Sequence, residues 1–130
     1  MILGIGIDLV SIERIERVYK KYPERFLKRV FTSREKKLFT ERGSSMNTLA
    51  AGFAAKEAVL KAIGCGIGPA AFNEVEVIAP PGSRPGVILY GEALRLADAL
   101  NISAITVSMT HEPPFACACA AAFNVPDGCS

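Results

Sequence analysis

Two carboxylates and one lysine have positions that suit the binding of a metal ion and a phosphate group. Asp8 follows the apolar run of residues 1–7, and Glu57 and Lys61 stand four residues apart in the alanine-rich segment FAAKEAVLKA. A carboxylate that ends a buried strand is costly unless it is paired, hydrogen-bonded or bound to a metal. If the segment packs beside that strand, Asp8 and Glu57 converge, and two oxygen ligands with open positions suit Mg²⁺ shared with phosphate oxygens. Lys61 then reaches the same phosphates.

A simpler interpretation of this helix stays open. Glu57 and Lys61, at positions i and i+4, can form a surface ion pair worth about 0.3–0.5 kcal/mol. Capping the next helix would also explain Asp8, but Ser11 is better placed for that role. Asp8 therefore favours the metal site over the simple ion pair.

Three further features carry weaker signals. The glycine-spaced loop 64–68 offers backbone N–H groups to a phosphate, but it follows a helix C-terminus, whose dipole repels anions. The only histidine, His111, falls in the predicted turn SMTHEPP, where a surface role is more common than catalysis. Cys117 and Cys119 would share one face of a strand near His111. Zinc is a minor alternative there to thiols packed as small apolar groups.

Charge is unevenly distributed along the chain. The net charge is +2, but residues 1–42 hold 11 Lys/Arg against 6 Asp/Glu, whereas residues 43–130 hold 4 against 7. Arg14, Arg17 and Lys21 fall at i, i+3 and i+7 of a predicted helix and form a basic stripe on its solvent side. Most such stripes are only solvated faces; the alternative is an acidic partner, such as nucleic acid, a phosphorylated ligand or an acidic protein.

The apolar pattern predicts one α+β domain over residues 1–125, with a frayed tail at 126–130. The first half is predicted to hold a buried strand at 1–7 that Asp8 ends, a helix at 12–22 capped by Ser11, and one or two short helices in 24–42. A long helix then runs to about 62 or 63, where Gly64 stops it. The second half is predicted to hold strands at 72–79 and 87–91, a helix at 91–100, and strands at 102–110 and 116–125. Within 24–42, Thr32 or Ser33 is predicted to start a helix. Its outer residues are Arg34, Glu35, Lys36 and Lys37, and its inner residues are Leu38 and Phe39.

The long helix has two unlike sides. Its small side can press against the glycine face of the first strand, where Gly4 and Gly6 leave room for close approach. That side carries Ala54, Ala55, Ala58, Val59 and Ala62. The other side looks outward or into a crevice, and it carries Phe53, Lys56, Glu57, Leu60 and Lys61.

Length and composition limit the class of protein. A chain of 130 residues fits one domain, and its mean hydropathy of +0.28 suggests surface buried against copies of itself. No apolar run approaches the roughly 18 residues of a membrane span, and no signal-peptide pattern is present, so the expected location is cytoplasmic. The four cysteines lack the spacing of a disulfide framework.

Several segments together resemble one family, the holo-acyl-carrier-protein synthases, also called 4'-phosphopantetheinyl transferases. They are GIGIDLVSIERI (4–15), FAAKEAVLKAIGCGIG (53–68), AFNEVEV (71–77), SRPGVILYGEAL (83–94) and VSMTHEPPFACA (107–118). The resemblance implies the fold of that family, with an antiparallel sheet packed against a long helix. It also implies an enzyme of fatty acid biosynthesis. Such enzymes transfer 4'-phosphopantetheine from coenzyme A to a serine of apo-acyl carrier protein and release adenosine 3',5'-bisphosphate.

The resemblance also implies roles at the reacting centre. Asp8 and Glu57 match the Mg²⁺ ligands of the family, and Glu57 or a metal-held water takes the serine proton. Lys61 matches the lysine that contacts phosphate and assists the leaving group.

Binding surfaces follow from the same resemblance. Residues on the segments that resemble the nucleotide-binding wall are Gly64, Gly66, Pro85 and His111. The basic helix that binds the acidic carrier protein corresponds to Arg14, Arg17, Lys21 and Arg25. Members of the family form trimers, so the resemblance implies a homotrimer with active sites between subunits.

One position departs from the family pattern. Many members have an arginine just before the phenylalanine of the helix motif, where this chain has Gly52. Arg42 and Arg84 are candidates to replace it. The alternative function is a non-catalytic basic module that binds an acidic protein or nucleic acid, but it leaves Asp8 unexplained and lacks the aromatic residues that nucleic-acid modules often use.

Overall fold

The computed structural model describes residues 1–65, 70–80 and 82–126, and these form an α+β fold. The elements, in chain order, are β1 (Ile2–Ser11), α1 (Ile12–Lys21), α2 (Pro23–Val30), α3 (Ser33–Glu41), α4 (Met46–Ala62), a 3₁₀ turn (Phe72–Glu74), β2 (Val75–Ile78), β3 (Gly86–Leu89), α5 (Gly91–Ala99), β4 (Ala104–Glu112) and β5 (Phe115–Phe123). The predicted order of helices and strands is confirmed. Residues 126–130, the predicted frayed tail, lie almost wholly outside the described residues.

Side chains at the helix starts explain where the helices begin. Ser11 accepts a hydrogen bond from the backbone of Arg14 and caps α1, as predicted. Thr32 caps α3 in a reciprocal pair with Glu35, and Ser45 caps α4. Such caps satisfy backbone N–H groups that the first helical turn leaves unpaired. At the other end of α4, Gly64 takes a φ of +77°, which a glycine adopts without strain, and the helix stops.

The sheet places its last strand in the middle. Strand β5 lies between β1 and β4 and pairs antiparallel with both, while β2 and β3 form a separate two-stranded sheet. The sequence predicts that Asp8 ends the first strand. In the structure Asp8 instead lies within β1 and pairs with Ala118. The strand continues to Ser11, because pairing with β5 extends as far as Phe115.

Helix α4 packs on β1 at very short range. A Cβ added to Gly4 would lie 1.9 Å from the carbonyl oxygen of Ala62, and one added to Gly6 would lie 1.8 Å from that of Ala58. Only glycine permits this approach, so the predicted contact between the glycine face and the alanine face is confirmed. This contact brings Glu57 beside β1.

The described residues of the single chain leave the opposite face of β1 uncovered. Leu3, Ile5, Ile7 and Leu9 are exposed, Ile5 to 65%. In one copy the predicted buried strand is therefore covered on one face only, because α4 lies on only one side of the sheet. None of the helices in residues 1–65, 70–80 and 82–126 is long and apolar enough to cross a membrane.

Candidate active site

Asp8 and Glu57 face each other across the contact between β1 and α4. The side chain of Asp8 is largely buried, and its Oδ2 has no hydrogen-bond partner among the described residues when both carboxyls are ionised. Burial, followed by a hydrogen bond to Asp8 and the charge of Asp8, raises the pKa of Glu57 to about 7. The predicted convergence of the two carboxyl groups is present.

Lys61 approaches Asp8 rather than Glu57. Its Nζ donates to the Ile7 carbonyl at 3.0 Å and lies 3.3 Å from Asp8 Oδ1. Within the described residues no ion pair shorter than 4.0 Å joins Lys61 to Glu57, so the simple surface pair at i and i+4 is not what forms. The positive charge of Lys61 still lowers the pKa of Glu57, which shows that the three groups act on one another. The Lys61 side chain is 52% exposed and can reach a ligand.

These groups fit a hard divalent cation shared with a substrate. Carboxylate oxygens are the ligands that Mg²⁺ prefers, and the buried Oδ2 of Asp8 lacks a donor of its own. Across the described ranges, no three His, Cys, Asp or Glu side chains cluster as a complete metal site. Two protein ligands would hold such an ion only together with oxygens from water or a bound phosphate.

The described residues expected on the nucleotide wall belong to different elements of the single chain. Gly64 lines a cavity together with Lys61, whereas Gly66 lies outside the described residues. Pro85 is half-buried just before β3. His111 belongs to β4 rather than to the predicted turn, because pairing with β5 continues to Glu112. Among the described residues, no hydrogen bond or ion pair joins Pro85 or His111 to the carboxylates.

The zinc alternative does not fit the sheet. His111 pairs with Ala116, which is buried on the side of the sheet that α4 covers. Cys117 and Cys119 alternate with Ala116 and Ala118, so they point to the opposite side. The imidazole and the two thiols therefore lie on different faces of one sheet.

The basic stripe on α1 is exposed, as predicted, and is interleaved with apolar side chains. Arg14, Arg17 and Lys21 all face solvent, and Arg14 is close enough to the site for its charge to lower the pKa of Glu57. Val18 on this helix and Tyr22 at its C-terminal end are both exposed beside these cations.

Tyr22 connects the stripe to α2. Its ring lies 5.6 Å from the Lys21 ammonium and 6.0 Å from the Arg25 guanidinium. The surface formed by α1 and Tyr22 is therefore a mixed basic and apolar face.

The sequence predicts Glu35 on the outside and Lys56 on a side that looks outward or into a crevice, and both are buried. Lys56 is fully buried, with its Nζ 2.6 Å from Glu35 Oε1. It also donates to the carbonyls of Phe72, at 3.2 Å, and Val75. Burial lowers the pKa of Lys56, and the charge of Glu35 opposes that shift. The pair was missed because helical periodicity marks charged residues as exposed, and the partner is distant in sequence.

Gly52, where the family arginine is missing, lies under an aromatic ring. A Cβ at this position would lie 3.3 Å from Cε1 of Phe31, so a larger side chain requires Phe31 to move. Arg42 lines the same cavity as Gly52, whereas Arg84 lies in the connection between β2 and β3. Arg42 is therefore the nearer of the two candidate replacements.

Comparisons with known proteins agree with this arrangement. The sequence model of the 4'-phosphopantetheinyl transferase superfamily matches residues 4–120. A holo-[acyl-carrier-protein] synthase of Moorella thermoacetica is 44% identical over 118 residues, covering 91% of this chain and 91% of that protein. The chain therefore belongs to the 4'-phosphopantetheinyl transferase superfamily, among the holo-acyl-carrier-protein synthases.

Solved structures show the same fold. The holo-[acyl-carrier-protein] synthase of Neisseria meningitidis superposes with a TM-score of 0.84 at 37% identity, covering 95% of this chain and 100% of that chain. The enzyme of Helicobacter pylori in complex with coenzyme A gives 0.79 at 32% identity, covering 92% and 99%. The expected family and fold are confirmed, and the chain is an enzyme rather than a non-catalytic module.

Proposed function

We propose that Asp8, Glu57 and Lys61 form the centre at which this chain transfers 4'-phosphopantetheine from coenzyme A to a serine of apo-acyl carrier protein. The transfer follows from the family, since relatives that are 38–44% identical over most of the chain are holo-[acyl-carrier-protein] synthases. Adenosine 3',5'-bisphosphate is the other product. The assignment of the individual residues and of the metal is our proposal.

The observation that carries the proposal is the pairing of two partly buried carboxyls. Asp8 Oδ2 is buried without a donor, and Glu57 faces it with a pKa raised to about 7. Two carboxylates this close repel each other unless a proton or a cation lies between them. Asp8 and Glu57 would hold Mg²⁺, which, when bound, neutralises charge on the phosphoanhydride as it breaks.

The chain's own groups divide the remaining work. Lys61 is half exposed, so its ammonium group can leave Asp8 for a phosphate oxygen and stabilise the departing bisphosphate. Glu57, or a water beside it, takes the proton from the serine hydroxyl. Because Arg14 in the N-terminal part of α1 is near Glu57, a carrier protein bound on α1 would lie beside the reacting centre.

The docking surface proposed for the carrier protein consists of the exposed face of α1, Tyr22 at its C-terminal end, and Arg25, which lies in α2 rather than on the same helix. Arg14, Arg17, Lys21 and Arg25 supply positive charge for an acidic partner, which raises the rate of encounter. Val18 and Tyr22 supply apolar area between these charges. This combination suits an acidic protein helix that also has apolar side chains.

A homotrimer with shared active sites is proposed as the working form. The exposed face of β1, formed by Leu3, Ile5, Ile7 and Leu9, is an apolar surface that a second copy would cover. In such an arrangement a neighbouring copy would supply Pro85 and His111 to the site. Gly64 would contribute from the same copy as Lys61, because the two line one cavity. The proposed setting is fatty acid biosynthesis in the cytoplasm.

Mass spectrometry of an apo-acyl carrier protein tests the proposal. The carrier is incubated with the protein, coenzyme A and Mg²⁺, and a parallel sample contains EDTA. The expected result is a mass gain of one phosphopantetheine group that the EDTA sample lacks. A gain that persists in EDTA contradicts the metal assignment, and no gain with several carrier proteins contradicts the function. Coenzyme A binding by calorimetry then shows whether the donor site or the carrier site has failed.

A further inference from the structure

Two adjacent residues of α4, about 100° apart around the helix axis, contact different neighbouring elements. Glu57 faces Asp8 on β1, and Lys56 faces the 3₁₀ turn, β2 and α3. A rotation or slide of α4 therefore moves both side chains together. The contacts of Lys56 thus bear on where the Glu57 carboxylate lies.

The ammonium group of Lys56 is fully occupied by directional contacts. It pairs with Glu35 Oε1 at 2.6 Å, donates to the carbonyls of Phe72 and Val75, and lies 5.2 Å from the centre of the Phe31 ring. An ammonium has three hydrogens to donate, and here each has an acceptor. The side chain has no exposed surface, so water does not compete for these positions.

Glu35 fixes the other end of this contact. Its Oε1 also accepts from the backbone of Thr32, and its Oε2 accepts from the backbone of Val77, each at 2.8 Å. Thr32 in turn donates through Oγ1 to Glu76 Oε2 at 2.6 Å. One carboxylate thereby ties α4, the start of α3 and strand β2 to one another.

The contact between α4 and β1 is a close backbone approach with one side-chain tie. There the glycines at positions 4 and 6 meet the backbone of Ala58 and Ala62, and Lys61 pairs with Asp8 and donates to the Ile7 carbonyl. Lys61 is the group proposed to leave Asp8 for a phosphate, so this tie is lost when the substrate binds. With side chains at a radius of roughly 5–6 Å, a rotation of about 10° moves a carboxylate by about 1 Å. A misplacement of about 1 Å can cost roughly 100-fold in rate.

Stability alone does not account for the ion pair. Replacing a buried ion pair by apolar residues of similar volume is often neutral or stabilising, so such a pair is weak support for the folded state. Directional contacts that hold the residues of a functional site in place are a better-founded role. Because Lys56 is next to Glu57 in α4, its contacts can hold Glu57 in place.

We propose that Lys56 and Glu35 are positioning residues that set the rotation of α4 and hence the place of Glu57 relative to Asp8. This inference rests on the proposed metal site at Asp8 and Glu57. Lys56 touches neither substrate nor metal, and it acts through the helix that carries Glu57. Loss of the pair should therefore weaken metal binding as well as transfer, by about 10-fold or more, as loss of outer contacts does at metal sites.

The test uses the double variant Glu35→Gln/Lys56→Met in the full chain. It removes both charges, so that neither is left buried alone, and glutamine keeps an oxygen that accepts from the backbone. Val107→Ala is the control, because Val107 is buried in β4 outside this network and its truncation lowers stability by leaving a cavity. For each protein one measures the melting temperature, the Mn²⁺ affinity by electron paramagnetic resonance with coenzyme A present, and the transfer rate at a temperature where it is folded.

The expected result is that the double variant binds Mn²⁺ about 10-fold more weakly and transfers at least about 10-fold more slowly, while Val107→Ala stays close to the wild type. If the double variant does not fold, Glu35→Asp keeps the charge but draws the carboxylate away from Lys56, and a smaller loss of the same kind is expected. Wild-type Mn²⁺ affinity and rate in a folded variant would overturn the inference alone. If the wild-type protein itself neither binds Mn²⁺ nor transfers, the proposed function falls together with the inference.

Discussion

The ammonium group of Lys61 lies 3.3 Å from Asp8 Oδ1 and joins the C-terminal part of α4 to β1 beside Glu57. Asp8 thus has one oxygen paired with a lysine and the other, Oδ2, buried without a donor. With Glu57 ionised, this cluster of two carboxylates and one ammonium carries an excess of negative charge. A cation that enters it would relieve the repulsion between the carboxylates and release Lys61 for a phosphate.

Removing either carboxylate should abolish most of the transfer without unfolding the protein. We expect Asp8→Asn and Glu57→Gln each to lower the transfer rate by on the order of 100-fold or more, because charge stabilisation by a bound metal is worth several kcal/mol. Single-turnover transfer to a carrier protein measures the rate, and circular dichroism checks the fold. A folded Glu57→Gln variant with wild-type transfer would exclude Glu57 from the centre.

The stability of the metal-free protein should fall as the pH rises through about 7. The pKa of Glu57 is raised from 4.5 to about 7 in the folded state, chiefly by burial. Between these values the folded chain holds a proton that the unfolded chain has lost, so stability that is present below pH 4.5 is lost as the pH passes about 7. Thermal melting in EDTA at about pH 5.5 and about pH 8 measures the slope, and Glu57→Gln should reduce it.

Metal binding should change with pH in the opposite sense. The metal binds the ionised carboxylate, so Mg²⁺ affinity and transfer at low Mg²⁺ should rise as the pH passes about 7. Saturating Mg²⁺ should shift the midpoint of the transfer rate to lower pH. A midpoint that does not depend on the Mg²⁺ concentration would contradict competition between the proton and the metal at Glu57.

The contact between β1 and α4 should not tolerate a methyl group. In Gly6→Ala the new Cβ would lie 1.8 Å from the Ala58 carbonyl oxygen, which is backbone and has little freedom to move. We expect a loss in the free energy of unfolding of about 3 kcal/mol or more, measured by urea denaturation. Gly86→Ala is the matched control, since its Cβ would meet nothing within 4 Å, and it should change stability by less than about 1 kcal/mol.

Charge reversal on α1 should weaken carrier binding more than catalysis. We expect Lys21→Glu to raise the KM for the carrier protein by about 10-fold with a small change in kcat, because long-range charge attraction mainly affects encounter. Lys37→Glu on α3 makes the same change in charge at another exposed site and should have little effect. Steady-state kinetics at two salt concentrations separate the effect on KM from the effect on kcat. Equal effects of both variants would argue against docking on α1.

A charge on the exposed face of β1 should prevent association. Ile5→Glu introduces a carboxylate on the face that the proposed homotrimer would bury, and an unpaired buried charge is costly. Sedimentation equilibrium should give the mass of three copies for the wild type and of one for the variant. Leu94→Glu, a similar exposed site on α5, should keep the wild-type mass. A wild-type protein that sediments as one copy would contradict the trimer.

Local patterns predicted much of this fold because the signals are local. Ser11 caps the helix that it precedes, Gly64 stops α4, and Gly4 and Gly6 face the alanines of α4. Each of these depends on a few neighbouring residues or on the spacing within one element. The convergence of Asp8 and Glu57 followed from the glycine face, since close packing brings the two elements together.

Contacts between distant charges could not be predicted in the same way. Periodicity predicted Glu35 outside and Lys56 facing outward or a crevice, because each is charged and nothing nearby in sequence reveals a partner. It also favoured an ion pair between Lys61 and Glu57, four residues apart, whereas the folded chain offers Asp8. Similarly, an apolar strand signals burial without showing whether a helix or another copy covers each face.

The placement of β5 between β1 and β4 has a consequence for how the enzyme is made. Asp8 pairs with Ala118, so the first carboxylate of the site is held by a strand that follows all of the described helices in the chain. Pairings between segments that are distant in sequence are slow to form and come after the local helices. A nascent chain that lacks β5 therefore has α4 and its Glu57 but no sheet to hold Asp8, and we expect catalytic capacity to arise only once β5 has been synthesised.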